Sequence, residues 1–225
     1  MTQPASSTVE DYIKRIYMLQ QQHGDELVSM GTLAEAIDVV PGTATAMVKK
    51  LAEADYVTYE PYGGVTLTDQ GRQLALHVLR RHRLVELFLV DVLGLDWSEV
   101  HDEAEHLEHA ISDKLLERID AALSHPTLDP HGDPIPSTSG VVEERRLVPL
   151  SECEAGAKMR VARMTEQSSD FLRFAAERGL RPGQCVTVDS CDRIGETLQV
   201  TPEDHDPLTL GRSAARKILV ERTRE

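Results

Sequence analysis

The stretch "VSMGTLAEAIDVVPGTATAMVKKLAEADYV" constrains the fold more than any other. Apolar residues at helical spacing predict a short helix from about Thr32 to Ile37 and another from about Thr43 to Ala54, with a tight turn at Asp38 to Gly42 between them. Directly after it, "YVTYEPYGGVTLTDQGRQLA" reads as two short β runs around Gly63 and Gly64, with Thr68 placed to cap a new helix. A hairpin that follows a helix pair is a wing, so this part predicts a winged helix-turn-helix; the plainer alternative is a generic small α+β unit. Upstream, "TVEDYIKRIYMLQQQH" places Tyr12, Ile13, Ile16, Tyr17 and Leu19 close to one helical face, with Thr8 as its expected cap.

From Gly71 the helical period runs through "ALHVLRRHRLVELFLVDVLG" to near Gly94, and it resumes from Ser98 to Ala122 as a second long helix. Seven of the nine histidines fall between His77 and His131, among thirteen Asp and Glu in residues 76 to 140. At about 100 degrees per residue, with His101 at zero, Glu105 falls near 40, Glu108 near −20 and His109 near 80, beside a core stripe of Val100, Ala104, Leu107 and Ile111. On the preceding helix, His82 and Glu86 share a face. One such pair on a charged helix is ordinarily just wet surface. Six converging His and Glu are different, because carboxylates brought together repel and a divalent cation relieves that repulsion. Asp11, near the start of the first helix, is a further candidate, with an exposed first-turn carboxylate as the equal alternative.

The segment "HPTLDPHGDPIPSTSGVVEERRLVP" reads as a linker, partly ordered at "DPHGDPIP". Beyond it "AKMRVARM", "QCVTVDSC", "ETLQVT" and "RKILVER" are short alternating strands around the helical "SSDFLRFAAERGL", which predicts a small β-barrel of SH3-like size. The fold class expected is therefore mainly α with a β C-terminal domain. A net charge of −14 argues against nonspecific nucleic-acid binding, so any DNA contact must be local. Cys153, Cys185 and Cys191 form no CxxC pair and are expected to be reduced. No apolar run is long enough to span a bilayer and "MTQPASSTVEDY" lacks the layout of a signal peptide, so a cytoplasmic protein without a membrane partner is expected.

In order, "EDYIKRIYML", "LAEAIDVVPGTATAMVKKL", "GGVTLTDQG", "RRHRLVE", "HDEAEHLEHAISD" and "HGDPIP" resemble the diphtheria toxin repressor family of metal-dependent regulators over residues 9 to 136. The tail is similar to the SH3-like, FeoA-like domain of longer members. The resemblance implies a winged helix-turn-helix over residues 1–75, a helical dimerisation and metal-binding domain over 76–140, a linker at 141–149 and the SH3-like domain over 150–225. It implies a primary metal site of Asp11, Glu105, Glu108 and His109. It implies also an ancillary site of His82, Glu86 and His101, completed from the third domain or the segment before it, with Asp129, His131 and Asp170 as contributors and Gln167 as the alternate to Asp170. Iron-responsive members carry methionine and cysteine where Asp11 and Glu105 stand, whereas the manganese-responsive branch carries Asp and Glu there. An oxygen-rich set of this kind suits Mn²⁺ or Fe²⁺. The short manganese regulators have Glu where Lys14 stands, so their two-ion cluster does not carry over as such.

On the recognition helix Pro41, Gly42, Thr43, Thr45 and Ala46 are expected to face the major groove, with Lys49 and Lys50 on the backbone. With no Arg or Asn to make a bidentate base contact there, DNA shape and thymine methyls would carry specificity. The expected function is a homodimeric, Mn²⁺-activated repressor of metal-uptake genes that binds a double-stranded operator, has two metal sites per subunit, acts on no small-molecule substrate and is not an enzyme. Rival readings are an Fe²⁺-responsive regulator with the same site residues, a helical metal-dependent enzyme, and a β tail that recognises a partner peptide.

Overall fold

The computed structural model describes residues 5–24 and 27–223, and its chain divides into two compact units. The first holds residues up to 81 together with 136–141; the second holds 82–135 and 142 onward.

In the first unit, helix α1 (Ser7–His23) is capped by Ser6 rather than Thr8, its hydroxyl accepting from Val9 N at 3.4 Å. Helix α2 (Met30–Ala36) is capped by Ser29, which accepts from Thr32 N at 3.1 Å. Helix α3 (Pro41–Glu53) starts two residues before the expected Thr43, because Pro41 occupies its first turn, where its fixed φ fits and its missing N–H costs nothing. Strands β1 (Val57–Glu60) and β2 (Gly64–Leu67) pair antiparallel as the wing, with Val57 opposite Leu67. Val28 adds a bridge to Val65, and Gln20 Nε2 donates to Thr66 Oγ1 at 2.7 Å, tying α1 to the wing. Ile13, Ile16, Leu33, Ala44, Val48, Leu51 and Val65 form the buried centre of this unit. The spacing that predicted three helices is thus their inward-facing stripe.

Helix α4 (Asp69–Asp91) opens where Thr68 accepts from Gly71 N at 3.1 Å and donates to Asp55 O at 2.6 Å. Gly71 is required there, since a Cβ would land on the Tyr56 carbonyl oxygen. The remainder of α4 continues into the second unit, followed by α5 (Val100–Leu107) and α6 (Asp113–Ala122). The long helix expected over 98–122 is therefore two. Its period carries across the gap through Ile111, but Ser112 caps a new start by accepting from Leu115 N at 3.4 Å. Leu84, Leu116, Ile119 and Ile135 form one apolar cluster here and Val85, Leu89, Val100 and Ala104 a second.

The β tail is a six-stranded antiparallel sheet of β3 (Val148–Pro149), β4 (Lys158–Met164), β5 (Cys185–Asp192), β6 (Thr197–Pro202), β7 (Leu208–Gly211) and β8 (Ile218–Arg222), in the order β3-β8-β4-β5-β6-β7. Helix α7 (Ser169–Ala176) packs Leu172 and Ala175 into its core, and α8 (Arg212–Arg216) precedes the last strand. Irregularities in pairing at Val161/Arg163 and Val188/Ser190 bend β4 and β5. Into this core, beside Leu150, Val161, Met164, Leu180 and Val188, goes Trp97 from the α4–α5 connection. Cys153, Cys185 and Cys191 are free thiols. Among the described residues no helix is long and apolar enough to cross a membrane.

Candidate metal centre

On α4, His82 and Glu86 stand one turn apart and both are buried. His82 Nε2 lies 3.0 Å from Glu86 Oε1 and 3.2 Å from His101 Nδ1 of α5, which is itself 3.2 Å from the same carboxylate oxygen. The other Glu86 oxygen faces His131 Nδ1 at 3.7 Å. His131 and Asp129 come from the segment after α6, and donor atoms of Glu86, Asp129 and His131 lie within 4.8 Å of one another, as do those of His82, Glu86 and His101. Glu86 is common to both groups, so five side chains converge.

The tautomer of His131 tests whether this cluster suits an ion. Its Nε2 donates to the Trp97 carbonyl at 2.8 Å, so the neutral ring would offer its lone pair at Nδ1. That nitrogen is buried and has no hydrogen-bond partner among the described residues. A carbonyl behind one ring nitrogen and a second nitrogen turned toward a carboxylate without a hydrogen bond is how proteins orient a ligating imidazole. The residues fit a divalent cation. Three imidazoles and two carboxylates, with neither thiolate nor thioether, make a donor set for Mn²⁺ or Fe²⁺.

Without an ion the cluster balances its charge with protons. Burial pushes the Glu86 carboxyl up, but the His82 charge and contacts from His101, His131 and His82 outweigh it and hold the group well below the ordinary carboxylate range. Burial, with the Asp133 and Glu86 charges, pushes Asp129 up to about 8 against the pull of Arg83 and His131. Burial disfavours a charged His131, yet the Glu86 and Asp129 carboxylates and the Trp97 carbonyl raise it to about 9. Metal entering here would release protons from this set.

The other predicted residues are distributed as follows. Glu108 is fully buried at the end of α5; its Oε2 lies 2.6 Å from His82 Nδ1 and its Oε1 3.3 Å from His109 Nε2. Glu105 lies on α5 with Oε1 3.8 Å from His101 Nε2. His82 therefore stands between the carboxylates of Glu86 and Glu108. Asp11 is on α1, in the first unit, and is partly buried. Asp170 departs from the expectation: its side chain is 95 % exposed and pairs with Arg173 at 2.8 Å. Its alternate Gln167 instead donates to Asp133 Oδ2 at 2.7 Å.

The stretch expected to be partly ordered, "DPHGDPIP", is a turn in which Asp129, His131 and Asp133 are buried and Leu128 bridges Pro134. Asp129 Oδ1 accepts from His131 N and Asp133 N, both at 2.9 Å, so proline and glycine shape a closed turn here. Asp133 and Trp97 were not among the expected site residues. The short spacing of Asp129, His131 and Asp133 is the signal that could have found the first.

On α3, Pro41, Gly42, Thr43, Ala46, Lys49 and Lys50 are exposed. Thr45 is partly buried and its hydroxyl donates back to Pro41 O at 2.8 Å, so it is already engaged within the helix. Two exposed residues escaped the sequence reading: Val40, immediately before α3, and Tyr62, at the tip of the wing.

Comparison with known proteins adds the following. Residues 5–65 match the family described as iron dependent repressor, N-terminal DNA binding domain. Residues 68–137 match the metal binding and dimerisation domain of the iron dependent repressor, and residues 148–222 match the FeoA domain. The iron-dependent repressor IdeR of Mycobacterium tuberculosis (strain ATCC 25618 / H37Rv) is 32% identical over 230 residues, covering 96% of this chain and 97% of that protein. The HTH-type transcriptional regulator MntR of Shouchella clausii is 39% identical over 112 residues, 50% of this chain and 76% of that one. A solved structure described as a manganese-dependent transcriptional repressor in complex with manganese is 41% identical, with a TM-score of 0.86 over 96% of this chain and 100% of that one.

Proposed function

Since this chain belongs to the iron-dependent repressor family, we propose that it is a homodimeric, manganese-activated repressor of metal-uptake genes. The observation that carries the metal reading is the buried, unpartnered His131 Nδ1 aimed at the Glu86 carboxylate. One site would use His82, Glu86, His101, Asp129 and His131. A second would use Glu105, Glu108 and His109, with Asp11 of α1 as the ligand that the family pattern supplies. The absence of cysteine and methionine from both sets favours manganese, and the manganese-bound neighbour agrees.

Bound metal would supply positive charge where carboxylates converge. The chain's own residues do the rest. His82 is held between Glu86 and Glu108, so its ring orientation is fixed before any ion arrives. His131 is pre-set by the Trp97 carbonyl. Asp11 as a ligand would tie α1 to the helical segment and so restrict the winged helix to fewer arrangements. Moving such an equilibrium from about 1:99 to 99:1 takes about 5.5 kcal/mol of differential metal binding, which several ions per dimer can provide. Exposed Val92, Leu93, Leu107 and Leu115 on the helical segment supply the apolar surface that a dimer would cover. The first 75 residues carry five Lys or Arg against ten Asp or Glu, so an ion also removes charge that disfavours DNA. Exposed Thr43 and Val40 suit contacts to thymine methyls, while Lys49 and Lys50 suit phosphates.

The test is fluorescence anisotropy of a labelled metal-uptake promoter fragment. Chelated protein is titrated first, then protein with Mn²⁺ and, anaerobically, with Fe²⁺, at fixed salt. Binding only with metal, at lower Mn²⁺ than Fe²⁺, is the expected result. Binding indifferent to metal would overturn the reading. Activation at lower Fe²⁺ would favour iron, the metal named for the full-length relative IdeR.

A further inference from the structure

The segment that carries Asp129 and His131 is held on its far side by the β tail. The His131 carbonyl accepts from Met164 N, at the end of β4, at 2.9 Å. Gly132 follows with φ +85, and a Cβ there would land on the Ala162 carbonyl oxygen of the same strand. Asp133 is ion-paired with Arg163 of β4 and accepts from Gln167 at 2.7 Å. Arg83 of α4 reaches the same turn from the other side, 3.7 Å from Asp129 and 3.5 Å from Asp133. Trp97, whose carbonyl receives the His131 N–H, is itself built into the core of the tail.

Four contacts therefore run from the tail to His131 and the two residues that follow it, yet among the described residues no tail side chain is in the cluster. Of the tail carboxylates flanking Gln167, Glu166 pairs with Lys217 at 3.2 Å and Asp170 points into solvent. Building on the metal reading above, we infer that the β tail serves the His131 site as a positioning scaffold. It donates no ligand; it fixes the backbone of the Asp129–Asp133 turn against β4, so that His131 Nδ1 faces Glu86. The positioning residues are Gly132, whose lack of a side chain lets the turn lie against β4, and Arg163 with Gln167, which hold Asp133. A glycine with positive φ at a close backbone approach has no tolerated replacement, and so it is the sharpest probe.

The experiment counts Mn²⁺ bound to the full chain by loss of the free-ion paramagnetic resonance signal. The single Trp97, its ring 5.6 Å from that of His131, reports occupancy by fluorescence quenching. Wild-type protein should bind two Mn²⁺ per subunit, and His131→Ala should lose one together with most of the quenching. Gly132→Ala should weaken the same site by about 10- to 100-fold, the range for residues that orient ligands. Its other site and far-UV circular dichroism should be unchanged. Asp170→Ala should bind as wild type. Should Gly132→Ala fail to fold, Arg163→Ala with Gln167→Ala should give the same loss, and Arg163→Lys should restore part of it. A Gly132→Ala protein with both sites at wild-type affinity, or an Asp170→Ala protein that loses the site, would overturn the scaffold. A His131→Ala protein that binds like wild type would instead overturn the metal reading beneath it.

Discussion

Asp129→Asn should stabilise the metal-free protein and remove about half of what manganese adds. The donor oxygens of Asp129 and Glu86 lie within 4.8 Å. Were both charged, even at that outer limit they would repel by about 3.5 kcal/mol at an effective dielectric near 20, which is why Asp129 keeps a proton instead. Holding that proton has a cost of similar size. Asp129 is held up to about 8 from an ordinary 3.8, so at pH 7 the fold keeps a proton that the unfolded chain has released, at a cost of about 4 kcal/mol. Asparagine keeps the oxygen that accepts from His131 N and Asp133 N, so the turn survives. It gives up the electrostatic pull of Arg83, 3.7 Å away, that partly offsets the raised Asp129 carboxyl, but Arg83 retains Asp133. The net gain is roughly 2 to 3 kcal/mol, or about 5 to 10 °C in Tm for a chain of this size.

The pH dependence carries a sign. A carboxyl whose folded pKa is raised contributes most favourably below its unfolded value and loses that contribution as pH rises toward the folded one. The advantage of Asp129→Asn should therefore be small near pH 4 and widen up to about pH 8. Adding Mn²⁺ at about 100 times the dissociation constant should stabilise wild type by about 2.7 kcal/mol per site. The variant should gain from one site only. Thermal unfolding with chelator and with Mn²⁺, from pH 4 to 8, measures both effects. A metal-free variant that melts at or below wild type, or one that gains as much from Mn²⁺, would refute the account of this cluster.

Asp11→Ala should abolish Mn²⁺-dependent operator binding while size-exclusion chromatography still shows a folded dimer; normal Mn²⁺-dependent binding would remove Asp11 from the mechanism. Lys49→Ala should weaken binding about equally on specific and scrambled DNA and lower the salt slope by roughly one, measured by anisotropy from 50 to 200 mM salt. The Lys217 ammonium, with Ser168 N, holds the Glu166 carboxyl below its ordinary 4.5. Its contribution to stability is present above that value and lost as pH falls through the depressed one, so wild type and Glu166→Gln should differ slightly in Tm at pH 7 and converge in acid.

The parts of this molecule that were legible in the sequence are those where a period exists. Ile13, Ile16, Val48 and Leu51 recur at helical spacing because they share one buried face, and His82, Glu86 and His101 could be placed on facing helices for the same reason. Period fails wherever the backbone leaves the helix. Ile111 continues the stripe of α5 in phase, so periodicity could not show the break that Ser112 caps, and Glu108 and His109 lie in that break. In the tail, β7 and α8 are four and five residues long, too short for alternation to register.

The turn from Asp129 to Asp133 was legible only in part: its order and two candidate ligands could be named, but not its burial or the role of Asp133. Proline and glycine report that a chain is irregular; they say nothing about whether it is exposed. A helix presents donors from one face, along one line. An ion needs donors from several directions, and an irregular segment crossing the helices supplies the missing one. His131 reaches the far oxygen of Glu86 because Gly132 lets the turn lie against β4, a fact of tertiary packing that no local pattern encodes. Histidine and aspartate two residues apart in a proline-bounded segment, downstream of a helical His/Glu stripe, are therefore the remaining side of a site that periodicity alone leaves open.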